Sequence, residues 1–229
     1  MHSLHKITFY GEQIYTCVTD DPSVVTRWIM EVERAHLLWL NRLVVGLDIE
    51  WRPNLEPGVV HPVATLQLCV AHSCLIFQIL HAEYVPASLH AFLGNLDYTF
   101  VGVGIKDDAM KLSDDFGLVV SRMVDLRGLA VGRWRNPSLG YMGLKKLVKV
   151  VLRKDLEKPK EITLSHWDEK TLTAPQVEYA CLDAFVTFEL GMALQAWLVG
   201  RVRVGWCVGA NCVIVPNMVA PIFPHQVRS

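Results

Sequence analysis

The apolar positions follow two rhythms, and the places where one gives way to the other outline the elements. Residues 7–18 (Ile-Thr-Phe-Tyr-Gly-Glu-Gln-Ile-Tyr-Thr-Cys-Val) read as a β-hairpin turning near Gly11-Glu12. Asp20-Asp21-Pro22-Ser23 is a helix start, an acidic cap followed by proline in the first turn. Val24, Trp28, Ile29, Val32 and His36 continue that helix at its own spacing. Leu43–Trp51 is a β-branched apolar run that predicts a buried strand, and residues 63–71 and 74–80 predict two more around His72-Ser73. A short helix is expected over Leu89–Leu96, a buried strand over Phe100–Ile105 and a helix over Asp107–Phe116. Val124-Asp125-Leu126 opens a basic stretch. Residues 141–152 pattern as an amphipathic helix, and Thr173-Ala174-Pro175 caps a last helix over about residues 175–197. Strands first, then strands alternating with helices, predict one α/β domain with a mixed sheet.

Composition narrows the class. Of 229 residues, 52% are hydrophobic and 20% charged, which excludes a disordered chain and is enough to bury one sizeable core. The net charge of −1 hides a split. Residues 122–160 hold 11 Lys/Arg against three acids, Asp125, Asp155 and Glu157, whereas residues 1–121 hold 14 acids against 7 bases. A basic segment in an otherwise acidic chain points to an anionic partner met on one side. The six cysteines form no C-x-x-C pair and the first residues carry no apolar leader, so reduced thiols in an intracellular protein are expected, without structural zinc. Val204–Pro224 is uncharged, but its prolines, glycines and asparagines make a poor spanning helix, so membrane attachment is not expected.

Three carboxylate patterns carry the chemistry. Asp48-Ile49-Glu50 puts two acids on one face of an apolar strand, a costly arrangement unless a cation joins them or the strand end is solvated. Gly102-Val103-Gly104-Ile105-Lys106-Asp107-Asp108 ends another apolar strand in acid, with Asp107 placed as a helix N-cap and Asp108 as the functional candidate. Neither a dinucleotide-binding nor a phosphate-binding glycine loop is present. Tyr179 and Asp183 share a face of the last helix, amid Ala180, Leu182, Ala184 and Phe185, so Asp183 needs a partner. Acids from two strand ends and a late helix that meet at one point repel one another and require divalent metal. Carboxylate oxygens without thiol or imidazole favour Mg²⁺ or Mn²⁺. Two such ions about 4 Å apart suit in-line phosphodiester cleavage.

The order D-x-E, G-x-x-x-D, Y-x-x-x-D resembles the DEDD superfamily of 3′–5′ exonucleases in its tyrosine subclass. The histidine subclass would place His where Glu178 stands. Val45–Trp51, Pro62–Leu68, Gly102–Ile105, Gly143–Leu147, Ser165-His166-Trp167 and Gln176–Ala184 are similar to the exonuclease domain of Werner-type proteins, and the stretch 47–54 to a small plant Werner-like group. The resemblance implies a ribonuclease H-like α/β fold, a mixed sheet flanked by helices, in an exonuclease domain over residues 1–197 with an atypical apolar tail at 198–229. It implies two Mg²⁺ or Mn²⁺ ions on Asp48, Glu50, Asp108 and Asp183, with Tyr179 orienting the attacking water. It further implies release of nucleoside 5′-monophosphates from single-stranded nucleic acid, RNA before DNA. Some plant relatives clear RNA from the silencing complex and assemble as ring-shaped homo-oligomers, which implies a silencing-complex protein partner and a ring-shaped homo-oligomer; a cytoplasmic site of action is expected before a nuclear one. A repair-type DNA exonuclease and an idle nucleic-acid-binding adaptor are the alternatives. Arg133, Trp134, Arg135, Lys145, Lys146, Lys149 and Lys154 in the basic segment are the candidate contacts to the strand.

Overall fold

A computed structural model describes residues 2–54 and 58–199. The apolar tail read from residue 198 onward lies, from residue 200, outside the described residues. The hairpin forms from β1 (His2–Phe9) and β2 (Glu12–Thr19), turning through Tyr10 and Gly11. Asp21 then caps α1 (Pro22–Ala35), its carboxylate accepting from the Ser23 amide at 2.8 Å. Next come β3 (Val44–Trp51), β4 (Val63–Val70) and β5 (Ser73–Phe77), the short α2 (Ala87–Leu93), and β6 (Thr99–Gly102). They are followed by α3 (Ile105–Phe116), β7 (Met123–Asp125) and α4 (Leu126–Trp134). The last elements are α5 (Leu144–Val151), α6 (Lys160–Thr163) and α7 (Ala174–Ala193). Thr173 and Gln176 close a reciprocal capping box on α7, as the Thr-Ala-Pro start predicts.

The strands make one seven-stranded sheet in the order β1-β2-β5-β4-β3-β6-β7. It is mixed: β3 pairs antiparallel with β4 and parallel with β6, and β2 pairs parallel with β5. Alternation along the central strands sorts the core into two layers. Val45, Leu47 and Ile49 face α1, α2 and α3, where Trp28, Phe92, Phe100 and Leu112 fill the space. Val44 and Ala64 face the other way, toward α4, α5 and α7.

The helices expected over Leu89–Leu96, 141–152 and 175–197 form as Ala87–Leu93, Leu144–Val151 and Ala174–Ala193, and the strand expected over 74–80 ends at Phe77; two further differences bear on the site. The strand expected to reach Ile105 stops at Gly102, and the helix expected from Asp107 starts at Ile105. Gly104, in the left-handed region at φ 84°, turns the chain from strand to helix and stands at the N-cap itself. Asp107 is therefore not the cap; it is an exposed acid within the first turn.

Candidate functional site

Glycine at position 46 decides where the last helix lies. A Cβ there would stand 2.2 Å from the Ala184 carbonyl oxygen and 2.7 Å from the Phe188 amide. The bare backbone of β3 thus lets α7 settle directly on the centre of the sheet. Asp48 and Glu50 follow Gly46 on the same face, and Asp183 projects from the turn of α7 that rests there. The carboxylates of Asp48, Glu50 and Asp183 come within 4.8 Å of one another. Asp183 is buried, whereas Asp48 and Glu50 keep an opening to solvent.

Asp108 approaches from a different direction. It sits in the first turn of α3, just past the end of β6, outside the group of three. Its charge still reaches Asp48. The turn beneath it is tied down by Asp125, which accepts from the Gly104 amide at 3.0 Å and grips Arg127 through contacts of 3.0 and 2.6 Å. The site therefore occupies the carboxyl ends of the parallel pair β3 and β6.

The electrostatics follow from crowding like charges in a poorly hydrated place. Burial, then Asp183 and Asp108, push Asp48 well above the ordinary carboxylate range. Glu50 is raised by burial and by Asp48 and Asp183. Burial lifts Asp183 as well, against the pull of Lys158. Asp108 is pushed up to about 7 by burial and by Asp107 and Asp125, with Arg127 opposing. Burial and the neighbouring Asp183 push the Tyr179 phenol up to about 12, so it stays a proton donor at neutral pH.

Tyr179 stands one turn before Asp183 on α7, its ring tilted by 55° against the buried Trp167 at 5.8 Å between centroids. Its hydroxyl accepts a hydrogen bond from Thr163 Oγ1 at 3.1 Å. Lys158 completes the site. Its ammonium is bonded to Asp183 Oδ2 and lies 4.8 Å from the centre of the Tyr179 ring. Neither Thr163 nor Lys158 stands out in the sequence, because only the folded segment after α5 carries them back over α7. Gly46 was legible in principle, as a lone glycine inside a strand.

The basic segment is dispersed by comparison. Arg133 is spent on structure, its guanidinium donating to the Leu194 carbonyl at 3.0 Å and to Gln195 Oε1 at 2.9 Å. Lys149 pairs with Asp155 at 2.6 Å, and Lys145 with Glu157 at 3.5 Å. Lys154 lies 5.6 Å over the Phe9 ring and 4.0 Å from Glu189. Trp134, Arg135 and Lys146 are exposed. Among the described residues no helix is long and apolar enough to cross a membrane.

An acidic cluster at the carboxyl ends of a mixed sheet, overlaid by a tyrosine-bearing helix, is a nuclease-type arrangement, and comparison with known proteins fixes the family. The profile described as 3′-5′ exonuclease matches residues 17–198, and the chain belongs to that family. It is 36% identical over 156 residues to a 3′-5′ exonuclease of Arabidopsis thaliana, covering 66% of this chain and 52% of that protein. It is 38% identical over 143 residues to the bifunctional 3′-5′ exonuclease/ATP-dependent helicase WRN of Mus musculus, covering 62% of this chain and 10% of that one. The chain thus spans about half the length of the first relative and about a tenth of the second. The solved Nibbler EXO domain of Aedes aegypti superposes with a TM-score of 0.62 at 19% identity, over 79% of this chain and 87% of that one, which bears out the ribonuclease H-like fold.

Proposed function

We propose that this protein is a divalent-metal-dependent 3′–5′ exonuclease acting on single-stranded nucleic acid. One observation carries the reading: in a chain of the exonuclease family, Asp48, Glu50 and Asp183 bring their carboxylates within 4.8 Å. The donor set fits the group it implies, since every ligand atom is a hard oxygen and no thiol or imidazole stands among them. Asp48, Glu50 and Asp183 would hold the metal, with Asp108 supplying a fourth carboxylate from α3. Bound there, two Mg²⁺ or Mn²⁺ ions would activate the attacking water and stabilise the leaving 3′-oxygen. Tyr179, protonated at neutral pH, donates to that water and fixes its line of approach. Thr163 and Trp167 hold the phenol in place from behind. Trp134, Arg135 and Lys146, three exposed members of the basic segment, take the phosphates and bases of the strand.

For the substrate we favour single-stranded RNA over DNA, on the likeness of residues 47–54 to the small plant Werner-like group; fragments from RNA silencing are the corresponding natural class. Purified protein is incubated with matched 3′-hydroxyl RNA and DNA single strands in Mg²⁺, Mn²⁺ or EDTA. Stepwise release of nucleoside 5′-monophosphates is expected with either metal, faster on RNA, absent in EDTA and absent in Asp183→Asn. Degradation that persists in EDTA defeats the metal reading, and faster loss of DNA reverses the substrate.

A further inference from the structure

Lys158 has no place in the scheme above, yet its ammonium sits inside the acidic cluster. Its bond to Asp183 is made by a side chain 26% exposed to one only 1% exposed. Burial works against a charge at this position. The Asp183 carboxylate that the ammonium bonds supplies the compensating charge. Its cation also faces the π-surface of Tyr179. Asp183 therefore has a counter-ion supplied by the chain itself.

The segment that carries Lys158 is fastened on both sides. Leu156, two residues earlier, is buried in the core beneath α7. Thr163, five residues later, bonds Tyr179. Beyond it the buried Trp167 indole donates to the Thr163 carbonyl at 3.4 Å, and Gln176 Nε2 donates to Ser165 Oγ at 2.9 Å. The following loop is clamped by Arg52 to Asp168 at 3.1 Å and by Gln78 to the Lys170 carbonyl at 3.0 Å. Lys158 is thus delivered to the cluster by a strap with fixed ends. Its own stem is the flexible part: four methylenes between an anchored backbone and a mobile point charge.

We propose that Lys158 is a tethered counter-cation of the Asp48–Glu50–Asp183 cluster, and that a divalent ion binds only by displacing its ammonium from Asp183. The inference rests on the metal reading above. Physically, a unit positive charge on one of three shared carboxylates does two things. It offsets the mutual repulsion that would otherwise strain the cluster, and it repels an incoming divalent cation. The same lysine therefore stabilises the protein without metal and weakens the metal's grip. A loosely held ion can be exchanged, so metal availability becomes a control on the site. The displaced ammonium is then free beside the cluster, within reach of any anion that enters.

The test measures binding and stability, not turnover. Mn²⁺ is titrated calorimetrically into the full chain as wild type, Lys158→Met, Lys158→Arg and Asp183→Asn, and each protein is melted in EDTA and in Mn²⁺. Loss of the ammonium is expected to tighten Mn²⁺ binding at least about tenfold, since charges at about 4 Å interact by more than that even in a partly screened site. Lys158→Met should also melt several degrees lower in EDTA and regain more from Mn²⁺ than wild type does. Lys158→Arg, which keeps the charge, should stay near wild type. If Lys158→Met binds Mn²⁺ no tighter than wild type while Asp183→Asn loses binding, the counter-ion assignment falls and the metal reading stands. If wild type itself binds no Mn²⁺, both fall. Should Lys158→Met not fold in EDTA, folding restored by Mn²⁺ supports the assignment. Failure of both it and Lys158→Gln to fold with metal overturns it, because the lysine is then needed for more than the cluster's charge.

Discussion

At the scale of single residues, the pairing of Thr163 with Tyr179 separates a working phenol from a packing one. Thr163 Oγ1 lies within reach of both the Tyr179 hydroxyl, at 3.1 Å, and the Pro159 carbonyl, at 3.2 Å. It can give its single proton to only one of them at a time. When Thr163 serves the phenol oxygen, the phenol proton points into the site, where Asp183 is its partner. Tyr179→Phe keeps the ring against Trp167 and removes only that donor. Turnover is expected to fall about 10- to 1000-fold, the range for a group that aligns a nucleophile. Mn²⁺ affinity and melting temperature should hardly move. Thr163→Val, nearly the same shape without the hydroxyl, should lower turnover in the same direction by less. Parallel turnover and melting curves check both variants. A large drop in melting temperature with normal turnover of the folded fraction would make Tyr179 a core residue and nothing more.

At the scale of elements, the site exists because α7 lies unusually close to β3. Gly46→Ala puts a methyl into the Ala184 carbonyl and the Phe188 amide, both backbone atoms that cannot swing aside. The helix must lift, at a cost of about 1–3 kcal/mol or more for overpacking. Asp183 moves away from Asp48 with it, so metal affinity should drop although no ligand has been altered. Denaturant unfolding and Mn²⁺ titration on the same preparation test this, and an alanine variant with wild-type metal affinity would refute it. The example marks the limit of reading from sequence. The hairpin, β3 to β5, α1 and α7 were legible because burial on one face imposes a period of two or of 3.6. Asp48, Glu50 and Asp183 were legible because charge inside apolar elements is costly enough to be conspicuous. The strand order and the start of α3 were not, since one depends on long-range pairing and the other on a single left-handed glycine. Lys158 and Thr163 were not either: in sequence they are ordinary polar residues at and just past the end of a basic stretch, and only tertiary contact with α7 gives them meaning. Arg133 shows the converse, a residue that reads as a phosphate contact and is drawn into holding α4 to the end of α7.

At the scale of the whole molecule, the charge split seen along the chain persists in the fold: Lys145 and Lys149 answer acids of their own basic segment, while Lys154 and Lys158 reach Glu189 and Asp183 beyond it. The site itself is undercompensated: Asp48, Glu50 and Asp183 share Lys158, and Asp108 is offset by Arg127 alone. This has a consequence for stability. Asp48, Glu50, Asp108 and Asp183 all bind protons more tightly in the folded protein than an ordinary carboxyl near 4 does unfolded. A group with a raised folded pKa adds stability below its unfolded pKa and loses it as pH climbs through the folded one. For Asp108 that loss begins near the unfolded value of about 4 and is complete by about 7, and for the more buried acids it follows the same upward direction. In EDTA the melting temperature should therefore fall as pH rises from about 5 to about 8, the opposite of a protein held by ordinary salt bridges. Saturating Mn²⁺ binds the deprotonated carboxylates, so it should flatten or reverse that slope and stabilise most at the higher pH. Asp48→Asn removes one of the repelling charges while keeping its shape. In EDTA its advantage over wild type should grow as pH rises, because the wild-type carboxyl takes on its unfavourable charge in that direction. Melting curves of both proteins across that range, with and without Mn²⁺, decide the matter. A wild-type melting temperature in EDTA that rises steadily through neutral pH would mean that these acids are not repelling one another in the fold.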